Sequence, residues 1–128
     1  MADTTGRPMT PQDLTRIRFI SDPQISPDGQ RVAFVVTMLS DDKDQYLSNI
    51  WMVDTAGGEP RRFTTGPKRD SMPRWSPDGT HLAFLSEREA HSKAQVYVIP
   101  AAGGEPIRLT KLPNGVMQHV WSPDSSRL

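Results

Sequence analysis

Apolar residues along this chain fall in short runs separated by turn-forming residues, and the runs keep the two-residue period of β-strands. Val32, Phe34 and Val36 lie on one face of such a run, and Ala33 and Val35 lie on the other. A strand apolar on both faces needs a packed layer above it and another below. Strands are predicted over residues 22–26, 31–38, 49–54 and 59–64, and again over 72–76, 81–86, 95–99 and 106–110. The twelve prolines and nine glycines punctuate these runs as turn dipeptides, the pattern of an all-β chain.

The second set of four strands repeats the first. Ile25-Ser26-Pro27-Asp28-Gly29 returns as Trp75-Ser76-Pro77-Asp78-Gly79, and a third copy begins at Trp121-Ser122-Pro123-Asp124. Ile50-Trp51-Met52-Val53 followed by Ala56-Gly57-Gly58-Glu59-Pro60 matches Val96-Tyr97-Val98-Ile99 followed by Ala102-Gly103-Gly104-Glu105-Pro106. Ile50 to Val96, Gly57 to Gly103 and Trp75 to Trp121 are each 46 residues apart. Phe34 to Phe84 is 50, which places a four-residue insertion in the polar loop near 40–45. In Ser-Pro-Asp-Gly, Pro fixes φ, Asp suits the next turn position and Gly supplies the left-handed residue that closes a hairpin. Ser125 replaces that glycine in the third copy, at a modest cost in strain. Pro60 and Pro106 open strands that tolerate a missing N–H.

Four-stranded units repeating at ~46 residues predict a partial β-propeller of about two and a half blades. The expected division is an N-terminal extension with a short helix over 1–20, a first blade over 21–70, a second over 71–116 and the start of a third over 117–128. A β-sandwich is the alternative architecture, but its strands do not repeat in fours. The helix is predicted over 11–19, with Thr10 as N-cap, Pro11 in the first turn and Leu14 and Ile17 in its apolar stripe. That stripe packs either on the propeller rim or on a second domain. The blade edges predict exposed apolar faces and unpaired backbone, and with them self-association.

Composition narrows the partners. Fifteen basic and fifteen acidic residues give a formal net charge of zero, so no electrostatic drive toward nucleic acid or an acidic membrane exists. Arg61-Arg62 and Lys68-Arg69 are too short to alter this. The chain has no cysteine, which excludes disulfides and thiolate metal sites and fits a reducing, cytoplasmic location. No apolar run is long enough to cross a bilayer, and residues 1–9 lack the apolar stretch of a secretory signal.

Candidate chemistry is sparse. His81, His91 and His119 stand apart without metal-ligand spacing. Ser86, Asp78 and a histidine offer the residue types of a triad, but a propeller hairpin supplies no strained nucleophile elbow. Asp41, Asp42 and Asp44 lack the glycine-turned pattern of a calcium loop and read as a solvated loop. Trp51, Trp75 and Trp121 recur at blade positions and read as core. No catalytic residue, cofactor site or metal site is therefore expected within the chain.

The residues 9–14 (MTPQDL), 20–29 (ISDPQISPDG) and 32–35 (VAFV), together with 49–54 (NIWMVD), resemble the start of acylaminoacyl-peptidase-like members of the prolyl oligopeptidase family. The resemblance implies a two-domain serine peptidase whose propeller covers a downstream α/β-hydrolase domain and limits entry to short or N-acylated peptide substrates. Its Gly-x-Ser-x-Gly elbow does not occur in this sequence, so no catalytic role transfers to any residue here. The rival reading is a TolB-like propeller, without catalysis, that binds protein partners. A third is that several copies of the 128 residues assemble one propeller.

Overall fold

The computed structural model describes residues 18–39, 45–65, 69–89 and 93–128. Within them the chain forms β1 (Arg18–Ile25), β2 (Arg31–Leu39), β3 (Tyr46–Asp54) and β4 (Arg61–Arg62), then β5 (Asp70–Trp75), β6 (His81–Ser86), β7 (Gln95–Pro100) and β8 (Ile107–Arg108). Each set of four makes one antiparallel sheet in sequence order. Two such meanders packed face to face are adjacent blades of a partial β-propeller, as the repeat predicts.

Alternation along the strands sets the packing. Ala33, Ile50 and Met52 leave the first sheet on the face turned to the second. They meet Trp75, Leu82, Phe84, Tyr97 and Ile99, and these residues form one continuous core between the sheets. Phe84 and Tyr97 stack with ring centroids 5.9 Å apart. The opposite face of the second sheet buries Ala83, Leu85 and Val96 under Val116, at the end of the second repeat, and Trp121 of the third copy. The second sheet is thus covered on both faces, which accounts for its apolar runs. Burying one side chain such as Phe84 contributes roughly 1.5–3 kcal/mol.

The three Ser-Pro-Asp turns are built alike. Ser26 Oγ donates to Asp28 (2.6 Å) and accepts the Arg31 amide (3.0 Å), while Gly29 donates to the Ser26 carbonyl (2.8 Å). Ser76, Asp78 and His81 repeat this, and so do Ser122, Asp124 and Arg127. Gly29 and Gly79 have φ of 72° and 75°, and Ser125 takes the same left-handed conformation at 64°. The third copy therefore folds its turn although no strand flanks it among the described residues.

Two expectations change in detail. Residues 11–17 of the expected helix lie outside the described residues. Its last two positions, Arg18 and Phe19, are strand, paired with Met38 and Thr37. The open edge of β2 offers them backbone partners, and this tertiary pairing overrides local helical preference. The fourth strands are shorter than expected. After Arg62, the Phe63 and Thr64 amides both turn to the Ile50 carbonyl (2.8 and 3.1 Å), which ends the ladder.

Candidate functional site

The candidate site is the seam between successive blades, where the inner strands β1 and β5 and the segment of the third copy lie side by side. β1 and β5 share an irregularity. Their pairing shifts between Ser21 and Gln24 and between Ser71 and Arg74. Asp22 (φ 51°) and Met72 (φ 56°) are left-handed there, each immediately before a proline. A non-glycine residue rarely adopts that conformation, and a following proline restricts it further. Both inner strands thus bend at equivalent places, which re-aims the side chains around the bulge.

At the bend, Asp22 accepts Arg74 Nη1 (2.9 Å) from the next blade and Gln24 Nε2 (2.9 Å) from its own. The pair is partly exposed. Beside it, Trp75 Nε1 donates to the Gln24 carbonyl (2.9 Å). Trp121 Nε1 donates in the same way to the Arg74 carbonyl (3.0 Å) one blade later. Trp75 and Trp121 thus each fasten their segment to the backbone of the preceding blade. Arg31 closes the first seam from the side: its guanidinium lies 5.2 Å over Trp75 and donates to the Ala101 carbonyl (3.0 Å).

A second cluster lies at the start of β5. Asp70 is fully buried. Its carboxylate accepts Ser86 Oγ (2.6 Å), Arg88 Nη2 (3.1 Å) and Asn49 Nδ2 (3.3 Å), and its carbonyl accepts Ser48 Oγ (2.7 Å). Arg88 also covers the Phe84 and Tyr97 rings at 5.2 and 5.1 Å. A buried charge persists only when paired and hydrogen-bonded, and here Asn49 and Ser48 supply part of that from the first blade. The cluster joins the two blades. It presents no nucleophile–base pair, because the Ser86 hydroxyl is spent on Asp70 with no imidazole bonded to it.

The residues singled out in the sequence are placed as follows. Ser86 and Asp78 sit at opposite ends of β6, and Asp78 is bonded to Ser76 and Thr80, so they form no triad. His81 is exposed and bonded through Nδ1 to Thr80 Oγ1 (2.8 Å). His119 lies between the blades, its Nε2 2.9 Å from the Met72 carbonyl. His91 and Asp41, Asp42 and Asp44 lie outside the described residues. No group of three or more metal-ligating side chains occurs among the described residues. Trp75 is packed in the core and Trp121 is partly buried against the outer cluster, whereas Trp51, expected as core, lies half-buried between Arg18 (5.7 Å) and Arg62 (5.8 Å).

Two features escaped the sequence reading. The Asp70–Arg88 pair had a signal: aligned on the repeat, both charges stand where the first blade has Ile20 and Met38. Asp22–Arg74 had none, because nothing in the spacing shows that the two bends bring these side chains together.

Comparison with known proteins places this geometry. Residues 45–128 match the family model of the Tricorn protease N-terminal beta propeller domain. The peptidase YuxL of Bacillus subtilis is 48% identical over 81 residues, which are 63% of this chain and 12% of that relative. The acylaminoacyl peptidase of Pyrococcus horikoshii superposes with a TM-score of 0.69 at 25% identity, over 88% of this chain and 17% of its own. TolB from Acinetobacter baumannii superposes with a TM-score of 0.53 at 25% identity, over 70% of this chain and 21% of its own. The chain thus spans about an eighth of the length of the curated relatives it matches.

Proposed function

The chain belongs to the family of Tricorn protease N-terminal β-propeller domains, and on that premise we propose that it is the N-terminal propeller portion of a serine peptidase of the prolyl oligopeptidase family. In this reading it is a structural and substrate-gating domain for an enzyme that hydrolyses short or N-acylated peptides. The nucleophile, its base and the oxyanion hole belong to a downstream α/β-hydrolase domain of the parent polypeptide. The observation that carries the reading is the likeness in both sequence and blade packing to proteins described as peptidases. The neutral charge and the lack of cysteine fit peptide substrates handled in a reducing, cytoplasmic setting.

The seam supplies what such a domain needs mechanically. Tryptophan, arginine and a buried ion pair hold the neighbouring blades together. The TolB likeness favours a second reading, a propeller that binds protein partners without catalysis.

Labelling with a fluorophosphonate separates the two. The native polypeptide carrying this N-terminus is expected to react at a serine beyond Leu128, whereas the 128 residues alone stay unlabelled. A native polypeptide that closes its blades and does not label would support the binding module instead.

A further inference from the structure

The third copy departs from the repeat at one chemically telling place. Pro23 and Pro73 stand at the bends of the first two inner strands, and His119 takes that position in the third. Its Nε2 lies 2.9 Å from the Met72 carbonyl, two residues from the Arg74 carbonyl that accepts Trp121. A carbonyl oxygen only accepts, so Nε2 carries the hydrogen and, in the neutral ring, Nδ1 carries the lone pair. Nδ1 is buried and has no hydrogen-bond partner. The neutral ring leaves one acceptor unused there, whereas a charged ring would bury an unpaired donor, the costlier arrangement.

The surroundings offer the charged ring little relief. Arg74 on β5 and Asp22 on β1 are the charged side chains that face it, with opposing effects, and Asp22 is already paired to Arg74. Across the cleft the lining residues Val96, Leu109, Thr110, Leu112 and Leu128 have uncharged side chains. Desolvation is the largest influence and lowers the His119 pKa below its ordinary 6.5, and Arg74 adds to this. The Met72 carbonyl and Asp22 act in the opposite direction.

We propose that His119 is a proton-sensitive latch between the second blade and the third copy, holding the segment of that copy on β5 when neutral and releasing it when protonated. The first seam has proline at the same position and lacks the device, so Trp75 stays fastened while Trp121 is freed. A base with a lowered folded-state pKa stabilises the packed form above its unfolded value. The hold is therefore complete above about pH 6.5 and weakens as the pH falls below it. The latch stands on local geometry and holds whether or not the peptidase reading does.

The test uses the indole N–H signals of the chain labelled with 15N-tryptophan. Hydrogen exchange at Trp121 is measured relative to Trp75, so that intrinsic pH effects cancel. Between pH 7.5 and 5.5 the ratio is expected to rise several-fold in the wild type. It should stay flat in His119→Gln, whose amide still donates to the Met72 carbonyl but does not titrate. His81→Gln, which removes the other described histidine, should rise like the wild type. A flat wild-type ratio, an equal rise in His119→Gln, or loss of the rise in His81→Gln would each overturn the latch.

Discussion

Asp70 is a tightly constrained side chain, because it is a fully buried carboxylate held by partners from both blades. Removing one member of a buried pair strands the other, at a cost of about 3–5 kcal/mol. Asp70→Ala or Arg88→Ala is therefore expected to lower stability by roughly that amount, read as a shift in the urea midpoint at unchanged slope. The first blade has apolar residues in the matching places. At the matching positions it carries Ile20, Val36 and Met38, with Ile20 paired to Val36 as Asp70 is paired to Ser86. The triple change Asp70→Ile, Ser86→Val, Arg88→Met should accordingly cost less than either single alanine variant, since it strands no charge. A triple variant less stable than both singles would mean that the polar cluster itself, rather than the avoidance of an unpaired charge, stabilises the seam.

At the level of elements, the Ser-Pro-Asp turn recurs with the same bonds whether or not strands flank it, so its stability is local. Asp78 and Asp124 are held down to about 2, first by serine hydroxyls, Ser76 for Asp78 and Ser126 for Asp124, and then by neighbouring amide and hydroxyl donors. Ser26 and the Gln30 amide likewise lower Asp28. A carboxyl with a depressed folded-state pKa stabilises above its ordinary value of 3.8 and loses that contribution as the pH falls toward about 2. Asp78→Asn retains an acceptor but does not titrate, so its melting temperature should fall less steeply than the wild type's between pH 5 and 2. Ser125 adds a second test, because its left-handed backbone is strained while its Oγ accepts the Asp78 amide (3.0 Å) and ties the third turn to the second. Ser125→Gly relieves the strain and loses the tie, so thermal melts should place it near neutral. Ser125→Ala keeps the strain and loses the tie, so it should be about 1 kcal/mol less stable than glycine there. These turns, and the six longer strands, were legible in the sequence because local chemistry and two-residue alternation determine them. The start of β1 at Arg18 was not, since it depends on the open edge of β2 rather than on residues 18–21 themselves. The brevity of β4 and β8 was missed for a similar reason: the competing acceptor, Ile50 for β4 and Val96 for β8, lies on a neighbouring strand.

Across the whole molecule, one core runs through both sheets, so the blades are not separate folding units. Phe84→Ala opens a cavity in that shared core and should cost about 3–5 kcal/mol, with both blades lost in one transition by hydrogen exchange. The candidate site was less legible than the fold for a reason of scale. A repeat reports what blades have in common, whereas Asp22–Arg74, Asp70–Arg88 and His119 lie where the copies differ and meet across seams that spacing does not reveal. The same comparison of copies explains the two ends of the stack. Ile20 (70% exposed) and Ile25 (61%) of β1 stand where Asp70 and Trp75 of β5 are buried against the first blade. On the far side of the second blade, Ile107 (66%) and Leu109 (54%) are open although Val96 beneath them is covered. Two different apolar faces, each shaped to receive a blade, make a head-to-tail contact that does not close on itself. The 128-residue chain is therefore expected to self-associate, with a weight-average sedimentation coefficient that climbs with concentration. Ile20→Lys and Ile107→Glu each place a charge on one face, and either alone should lower that climb, since a heterologous contact needs both faces. A concentration-independent monomer in the wild type would show instead that the polar surroundings of these faces keep them apart in water.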